Sequence, residues 1–255
     1  MTDKTLKGIL FDLDDTLIDW RGFESQWEQR ERRLMQGVYD FVRGEGHTLD
    51  DFEQLLTTFI SYTRSAWETA RTNLLAPNIE RVMADTLVAL GVPRDRLDIR
   101  HCLEAYNWGA APNTAPFPDA IPALKLLIGH GVKVGIVTNA YQPMWMRDRE
   151  LEQHGLLEYF PSCRLSAADA GYLKPHPSIF EQALTCLGTE ANETIYIGDN
   201  PVADIAGAQG AGMTAVLRVT HPTQPMLSGL IVPDGAINSL EELPAMLDTW
   251  YPGWR

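Results

Sequence analysis

Asp12 and Asp14 stand two residues apart, directly after the apolar run Gly8-Ile9-Leu10-Phe11. Such a run reads as a short buried strand. The two acids therefore fall where strand gives way to loop, and they point the same way if strand geometry persists. Carboxylates crowded at a strand end repel each other and lose hydration, costs that a nearby cation or a shared proton relieves. Three later segments bring groups that would complete such a site. Val134-Gly135-Ile136-Val137 ends in the hydroxyl of Thr138 and the amide of Asn139. Lys174 sits in Gly171-Tyr172-Leu173-Lys174-Pro175-His176-Pro177, where prolines stiffen the chain around a cation. Asp199 ends the run Thr194-Ile195-Tyr196-Ile197-Gly198, and Asp204 follows five residues on. The set offers acids for a metal, a hydroxyl and an amide for phosphate oxygens, and a lysine as counter-charge. That is equipment for a metal-assisted reaction on an anionic substrate.

These residues converge only if the strands lie side by side. From residue 117 onward the pattern alternates. Helices are expected over Ala120–Gly129, Pro143–His154, Pro177–Leu187 and Asp204–Gly210, and strands over Lys133–Thr138, Arg164–Ser166, Thr194–Ile197 and Thr214–Arg218. Ser239-Leu240-Glu241-Glu242 is a capping-box pattern opening a last helix. Such alternation means an α/β fold, a doubly wound parallel sheet with helices on both faces. Ligands of such sheets bind beyond the carboxyl ends of the strands. Residues 19–116 read differently. Phe23, Trp27, Leu34, Val38 and Phe41 recur at helical spacing, and Gly44 and Gly46 break the run. A second helix carries Phe52, Leu55, Leu56, Phe59 and Ile60, with Thr48 as its expected cap. A third runs through Ile79, Val82, Met83, Leu87 and Leu90 to Gly91, and a fourth covers Leu97 to Trp108. The division is a Rossmann-like core of residues 1–18 and 117–255 with a helical insertion of residues 19–116 after the first strand.

The chain resembles the haloacid dehalogenase superfamily of phosphatases and phosphotransferases. Four motifs carry the resemblance in order: Asp12-Leu13-Asp14-Asp15-Thr16, Thr138-Asn139, Lys174-Pro175, and Gly198-Asp199 with Asp204. Four in register specify far more than one alone. The resemblance implies that the insertion is a helical cap over the site. It implies a nucleophile, Asp12, forming an aspartyl-phosphate, and a general acid and base, Asp14. It implies Mg²⁺ held by Asp12, Asp199 and the backbone carbonyl of Asp14. Thr138, Asn139 and Lys174 then bind phosphate, and Asp204 orients Lys174 or a metal-bound water. The expected activity is Mg²⁺-dependent hydrolysis of a small phosphorylated metabolite. A phosphomutase on the same core is the alternative. A 2-haloacid dehalogenase fits less well, because that chemistry needs neither the metal nor a second carboxylate two residues after the nucleophile.

Singly, several of these residues have plainer roles: Thr138 and Asp15 as turn residues, Lys174 as a solvated lysine, Asp204 as a helix cap, His176 as a satisfied loop histidine. Trp20, Arg21, Trp27, Arg64, Trp67 and Arg71 read as helix packing and solvated charge. The stretch from Asp19 to Phe23 is the best placed to line a pocket. A net charge of -13 in 255 residues argues against nucleic acid or an anionic membrane as partner. The 3 cysteines, Cys102, Cys163 and Cys186, show no zinc-site spacing. Met1-Thr2-Asp3-Lys4 starts no signal-like apolar segment. A cytoplasmic monomer or homodimer is expected.

Overall fold

A computed structural model of the chain describes residues 5–23, 27–220 and 230–255. The N-terminal tetrapeptide and the join between Phe23 and the first helix lie outside the described residues. Eight strands are present among them: β1 Gly8–Phe11, β2 Ile18–Asp19, β3 Ala115–Pro116, β4 Lys133–Thr138, β5 Arg164–Ser166, β6 Thr194–Gly198, β7 Thr214–Arg218 and β8 Gly235–Ile237. Six form one sheet in the order β5-β4-β1-β6-β7-β8, and every pairing in it is parallel. The first strand is central. Phe11, its last residue, pairs with Ile136 of β4 on one side and Ile197 of β6 on the other. From β1 the chain passes through the insertion to β4 on one side, and from β5 it crosses back to β6 on the other, so a crevice opens at the carboxyl end of β1.

Strand residues alternate between two cores. Ile9, Phe11, Ile136, Ile195, Ile197 and Val216 face one. Leu10, Val137, Tyr196, Ala215 and Leu217 face the other. A period of two in strands buried on both sides requires helices on both faces. The first face is covered by α5 (Ala120–Gly129), α6 (Met144–Gln153) and α10 (Leu243–Trp250). The second is covered by α7 (Ala167–Ala170), α8 (Pro177–Leu187) and α9 (Gly207–Gly210).

A third core lies among α1 (Trp27–Gly44), α2 (Phe52–Asn73), α3 (Ile79–Ala89) and α4 (Ile99–Tyr106). Met35, Val38, Leu55, Phe59, Met83, Leu87 and Tyr106 are buried there. Met146 of α6 joins the same cluster, so the bundle rests on the sheet domain. The chain enters and leaves the bundle through β2 and β3, which pair antiparallel, Ile18 with Pro116 and Asp19 with Ala115.

The structure corrects some local expectations. Asp51, not Thr48, caps α2, its carboxylate accepting from the Glu53 N–H at 2.9 Å. The helix runs on to Asn73, beyond the expected Trp67. The helix expected over Asp204–Gly210 begins instead as a π-turn at Pro201–Ala206, because the Asn200 side chain caps it and Pro201 starts it. The ribbon β2–β3 and the edge strand β8 were not foreseen.

Candidate active site

Asp12, Asp14, Thr138, Asn139, Lys174, Asp199 and Asp204 all line one cavity of about 660 Å³. It opens at the carboxyl ends of β1, β4 and β6 and is bounded on its far side by helical-bundle residues, including Trp27, Glu31, Thr63 and Trp67.

Lys174 organises the centre. The residue is only 4 % exposed. Its ammonium donates to Asp12 Oδ1 at 2.6 Å, Asp204 Oδ1 at 2.6 Å, the Val137 carbonyl at 3.0 Å and the Tyr196 hydroxyl at 2.9 Å. Burial works against the ammonium, but Asp12 and Asp204 outweigh it and hold its pKa well above the ordinary lysine value. A buried lysine between two carboxylates stays charged.

Asp204 is therefore more than a helix cap. One carboxylate oxygen accepts from Lys174 and the other from the Asn200 N–H at 2.9 Å. The π-turn carries Asp204 back against the end of β6, where Gly198 leaves room for it. A Cβ at Gly198 would lie 2.4 Å from the Asp204 carboxyl carbon. A wider turn of this kind inside a helix marks functional sites.

Asn139 uses its side chain to fix the lysine loop. Its Oδ1 accepts from the Lys174 N–H at 2.7 Å, and its Nδ2 donates to the Lys174 carbonyl at 3.2 Å. That side chain positions Lys174 and does not reach into the cavity with both groups free. Thr138 Oγ1 lies 3.5 Å from Asp14 Oδ2.

Asp14 has a partner that the sequence reading missed. Arg147 of α6 donates to Asp14 Oδ1 at 2.6 Å and lies 2.9 Å from Glu150 Oε2. Glu150 is fully buried and accepts from the Trp108 indole N–H at 3.1 Å. This chain of charges joins the first motif to the segment returning from the bundle. Asp14 also sits in a tight turn in which the Ile18 N–H reaches the Leu13 carbonyl and the Asp15 N–H reaches the Ile18 carbonyl. Those two bonds leave the Asp14 carbonyl uninvolved. Asp15 holds φ at 58°, a conformation aspartate tolerates, and accepts from the Trp20 N–H at 3.2 Å. His176 caps α8 through Ser178 and stacks on Tyr172 with 4.1 Å between rings, so it is a satisfied loop histidine. Trp20, Arg21 and Phe23 line the cavity, as do Trp27 and Trp67, whereas Arg64 and Arg71 are exposed away from it.

The site carries more negative charge than its cations balance. Burial raises the Asp12 carboxyl well above its ordinary range; Lys174 opposes this, and Asp204, Asp199 and Asp14 add to it. Burial, with Asp204 and Asp15, pushes Asp199 up to about 7. Such acids are poised for a cation.

The sequence model of the haloacid dehalogenase-like hydrolases matches residues 6–212, and the chain belongs to that family. It is 27 % identical over 220 residues to glyceraldehyde 3-phosphate phosphatase of Methanothermobacter thermautotrophicus, covering 86 % of this chain and 88 % of the relative. It is 27 % identical over 259 residues to phosphoserine phosphatase of Thermus thermophilus, covering 93 % and 98 %. Among solved structures, a 2-haloacid dehalogenase from Pseudomonas syringae pv. Tomato DC3000 superposes with a TM-score of 0.67 at 26 % identity, covering 96 % of this chain and 100 % of that one. No helix among the described residues is long and apolar enough to cross a membrane.

Proposed function

We propose that the chain is a phosphoric monoester hydrolase that transfers the phosphoryl group of a small metabolite to Asp12, with Mg²⁺ as cofactor and the helical insertion as a cap over the site. The observation that carries this reading is the second carboxylate: Asp14 lines the same cavity as Asp12, beside Thr138, with Asp199 completing the acids. The phosphatases among the relatives support it.

The residues present fit a divalent cation. Asp12, Asp199 and Asp204 each bring one carboxylate oxygen within 4.8 Å of the others. Asp204 already spends both its oxygens on Lys174 and Asn200. Asp12, Asp199 and the Asp14 carbonyl are therefore the better donors, and hard oxygens of this kind suit Mg²⁺. When bound, the ion supplies charge neutralisation of the phosphoryl oxygens.

The chain's own residues do the rest. An Asp12 oxygen attacks phosphorus, the ester P–O bond breaks, and the leaving oxygen takes a proton from Asp14. Water then attacks the acyl-phosphate and gives its proton to Asp14, and the bond to Asp12 breaks to release inorganic phosphate. Arg147 holds Asp14 in place through the bond to its Oδ1. Lys174 and Thr138 hold the phosphoryl oxygens, and Asp204 and Asn139 hold Lys174. A phosphomutase would share every step up to the acyl-phosphate.

The likeness to a 2-haloacid dehalogenase fixes the decisive assay. Phosphate release from an aryl phosphate is expected with Mg²⁺, is lost on chelation and returns on adding the ion back. Chloride release from 2-chloropropionate is expected to be slower. Chloride release outpacing phosphate release, or full phosphatase activity in metal-free protein with chelator, overturns the proposal.

A further inference from the structure

The cavity is far larger than a phosphate needs, and its outer part has a composition of its own. Trp20, Phe23, Trp27, Trp67, Trp108 and Tyr141 line it. Trp20 stacks on Trp27 with 5.5 Å between rings, Phe23 meets the Trp27 edge at 4.8 Å, and Trp67 lies 6.0 Å from Tyr141. Among the described residues, one carboxylate, Glu31 of α1, stands among these rings. It accepts from the Tyr106 hydroxyl at 2.9 Å. Among the described residues, no lysine or arginine nitrogen lies within ion-pair distance of it. Arg30, its neighbour in sequence, is not part of the lining; its guanidinium sits 4.1 Å from the Trp108 ring centre, 5.5 Å from that of Phe23 and 5.9 Å from that of Trp20, and donates to the Gly109 carbonyl, which leaves Trp27, Trp67 and Tyr141 as the rings open to a further cation among the described residues. Thr63 Oγ1, also on the lining, is buried without a hydrogen-bond partner among the described residues.

The charges of the whole cavity point the same way. Asp12, Asp14, Asp15, Glu31, Asp199 and Asp204 line it against Arg21, Arg147 and Lys174. Arg147 is paired with Asp14, Lys174 with Asp12 and Asp204, and Arg21 with Asp19. A divalent ion and a phosphate dianion cancel, so the excess of carboxylate over cation persists with substrate in place. A space walled by Trp27, Trp67 and Tyr141, beside a carboxylate that no described lysine or arginine contacts as an ion pair, is the recognition chemistry of an organic ammonium. Burial raises the Glu31 carboxyl to about 7, with the Tyr106 hydroxyl and the charge of Arg30 opposing it.

We propose that the outer cavity is an ammonium subsite, in which Glu31 and the surrounding rings select phosphate esters whose alcohol carries a positively charged nitrogen. This inference rests on the phosphatase reading and names its substrate class. A cation–π contact and an ion pair act together on the nitrogen, while the phosphate stays at Asp12 and Lys174.

The test uses matched esters on the unaltered protein with Mg²⁺. Choline phosphate is compared with its uncharged isostere, 3,3-dimethylbutyl phosphate, and ethanolamine phosphate with propyl phosphate. The charged member of each pair is expected to have the higher kcat/KM by at least roughly tenfold, expressed mostly in KM. Glu31→Gln, which keeps a hydrogen-bond acceptor for Tyr106, is expected to bring the ratio toward one, and Glu31→Asp to keep part of it. Neutral esters turned over as well as charged ones, or a ratio that Glu31→Gln does not change, overturns the inference. Turnover of p-nitrophenyl phosphate separates the two failures. With it present and no preference for charge, only the subsite falls. With no ester turned over, the phosphatase reading falls and takes the subsite with it.

Discussion

Asp12 is placed so that one contact serves two needs. Lys174 balances its charge where both side chains are buried, and in the proposed mechanism the same ammonium serves the transferring phosphoryl group. Replacing Asp12 with Asn removes the nucleophile but leaves Lys174 paired with Asp204. Asp12→Asn is therefore expected to fold, with a cooperative melt, and to lose at least roughly a thousandfold in kcat, about 4 kcal/mol of barrier. Wild-type turnover in this variant would remove Asp12 from the chemistry. Glu31 gives a pH signature independent of turnover. Its folded-state value of about 7 lies above that of an unfolded glutamate. Between roughly pH 4.5 and 7 the folded state thus holds the extra proton, and stability from this group falls as pH rises through that window. Glu31→Gln, which cannot ionise, is expected to gain in melting temperature over wild type at pH 8 relative to pH 5. An equal difference at both pH values would mean that Glu31 titrates normally.

The elements that hold these residues are set by short local signals. Asp51 opens α2 by accepting from the Glu53 N–H, and it lies off the cavity lining. Asp51→Ala is expected to cost about 1 kcal/mol of stability, read by denaturant unfolding, with kcat unchanged within about twofold. A loss of activity without a loss of stability would contradict that separation. The strands β4, β5 and β7 and the helix α8 were legible to the residue, because apolar runs ended by turn residues leave little choice. The two-residue strands β2 and β3 were not, since their pairing is made by the ends of the insertion meeting in space. Arg147 and Glu150 escaped for a related reason. Met144-Trp145-Met146-Arg147-Asp148-Arg149-Glu150 reads as a charged, solvated face. Yet Met144, Arg147 and Leu151 share one side of α6, and that side is buried. The spacing was a usable signal, but it cannot say that a buried arginine has a buried acid waiting for it. Lys174, Asp199 and Asp204 were legible as residues of one cavity because each stands in a motif of the resembled family, Lys174-Pro175 or Gly198-Asp199 with Asp204. That Asn139 grips the Lys174 backbone was not, because two loops distant in sequence meet only in the folded sheet.

At the scale of the whole molecule, a parallel sheet delivers its polar residues to one end, and a helical bundle, joined by the single ribbon β2–β3, walls the space above them. The sheet end carries the acids and Lys174 of the proposed phosphoryl transfer, and the bundle carries aromatic surface and Glu31, to which the proposed ammonium subsite assigns selectivity. In the proposed mechanism phosphate passes first to a carboxylate and only then to water. The stereochemical course at phosphorus tests this without requiring the intermediate to accumulate. Hydrolysis of an ester made chiral with oxygen isotopes and sulfur is expected to proceed with overall retention, the sum of two in-line displacements. Inversion would mean a single direct attack by water and would contradict the account.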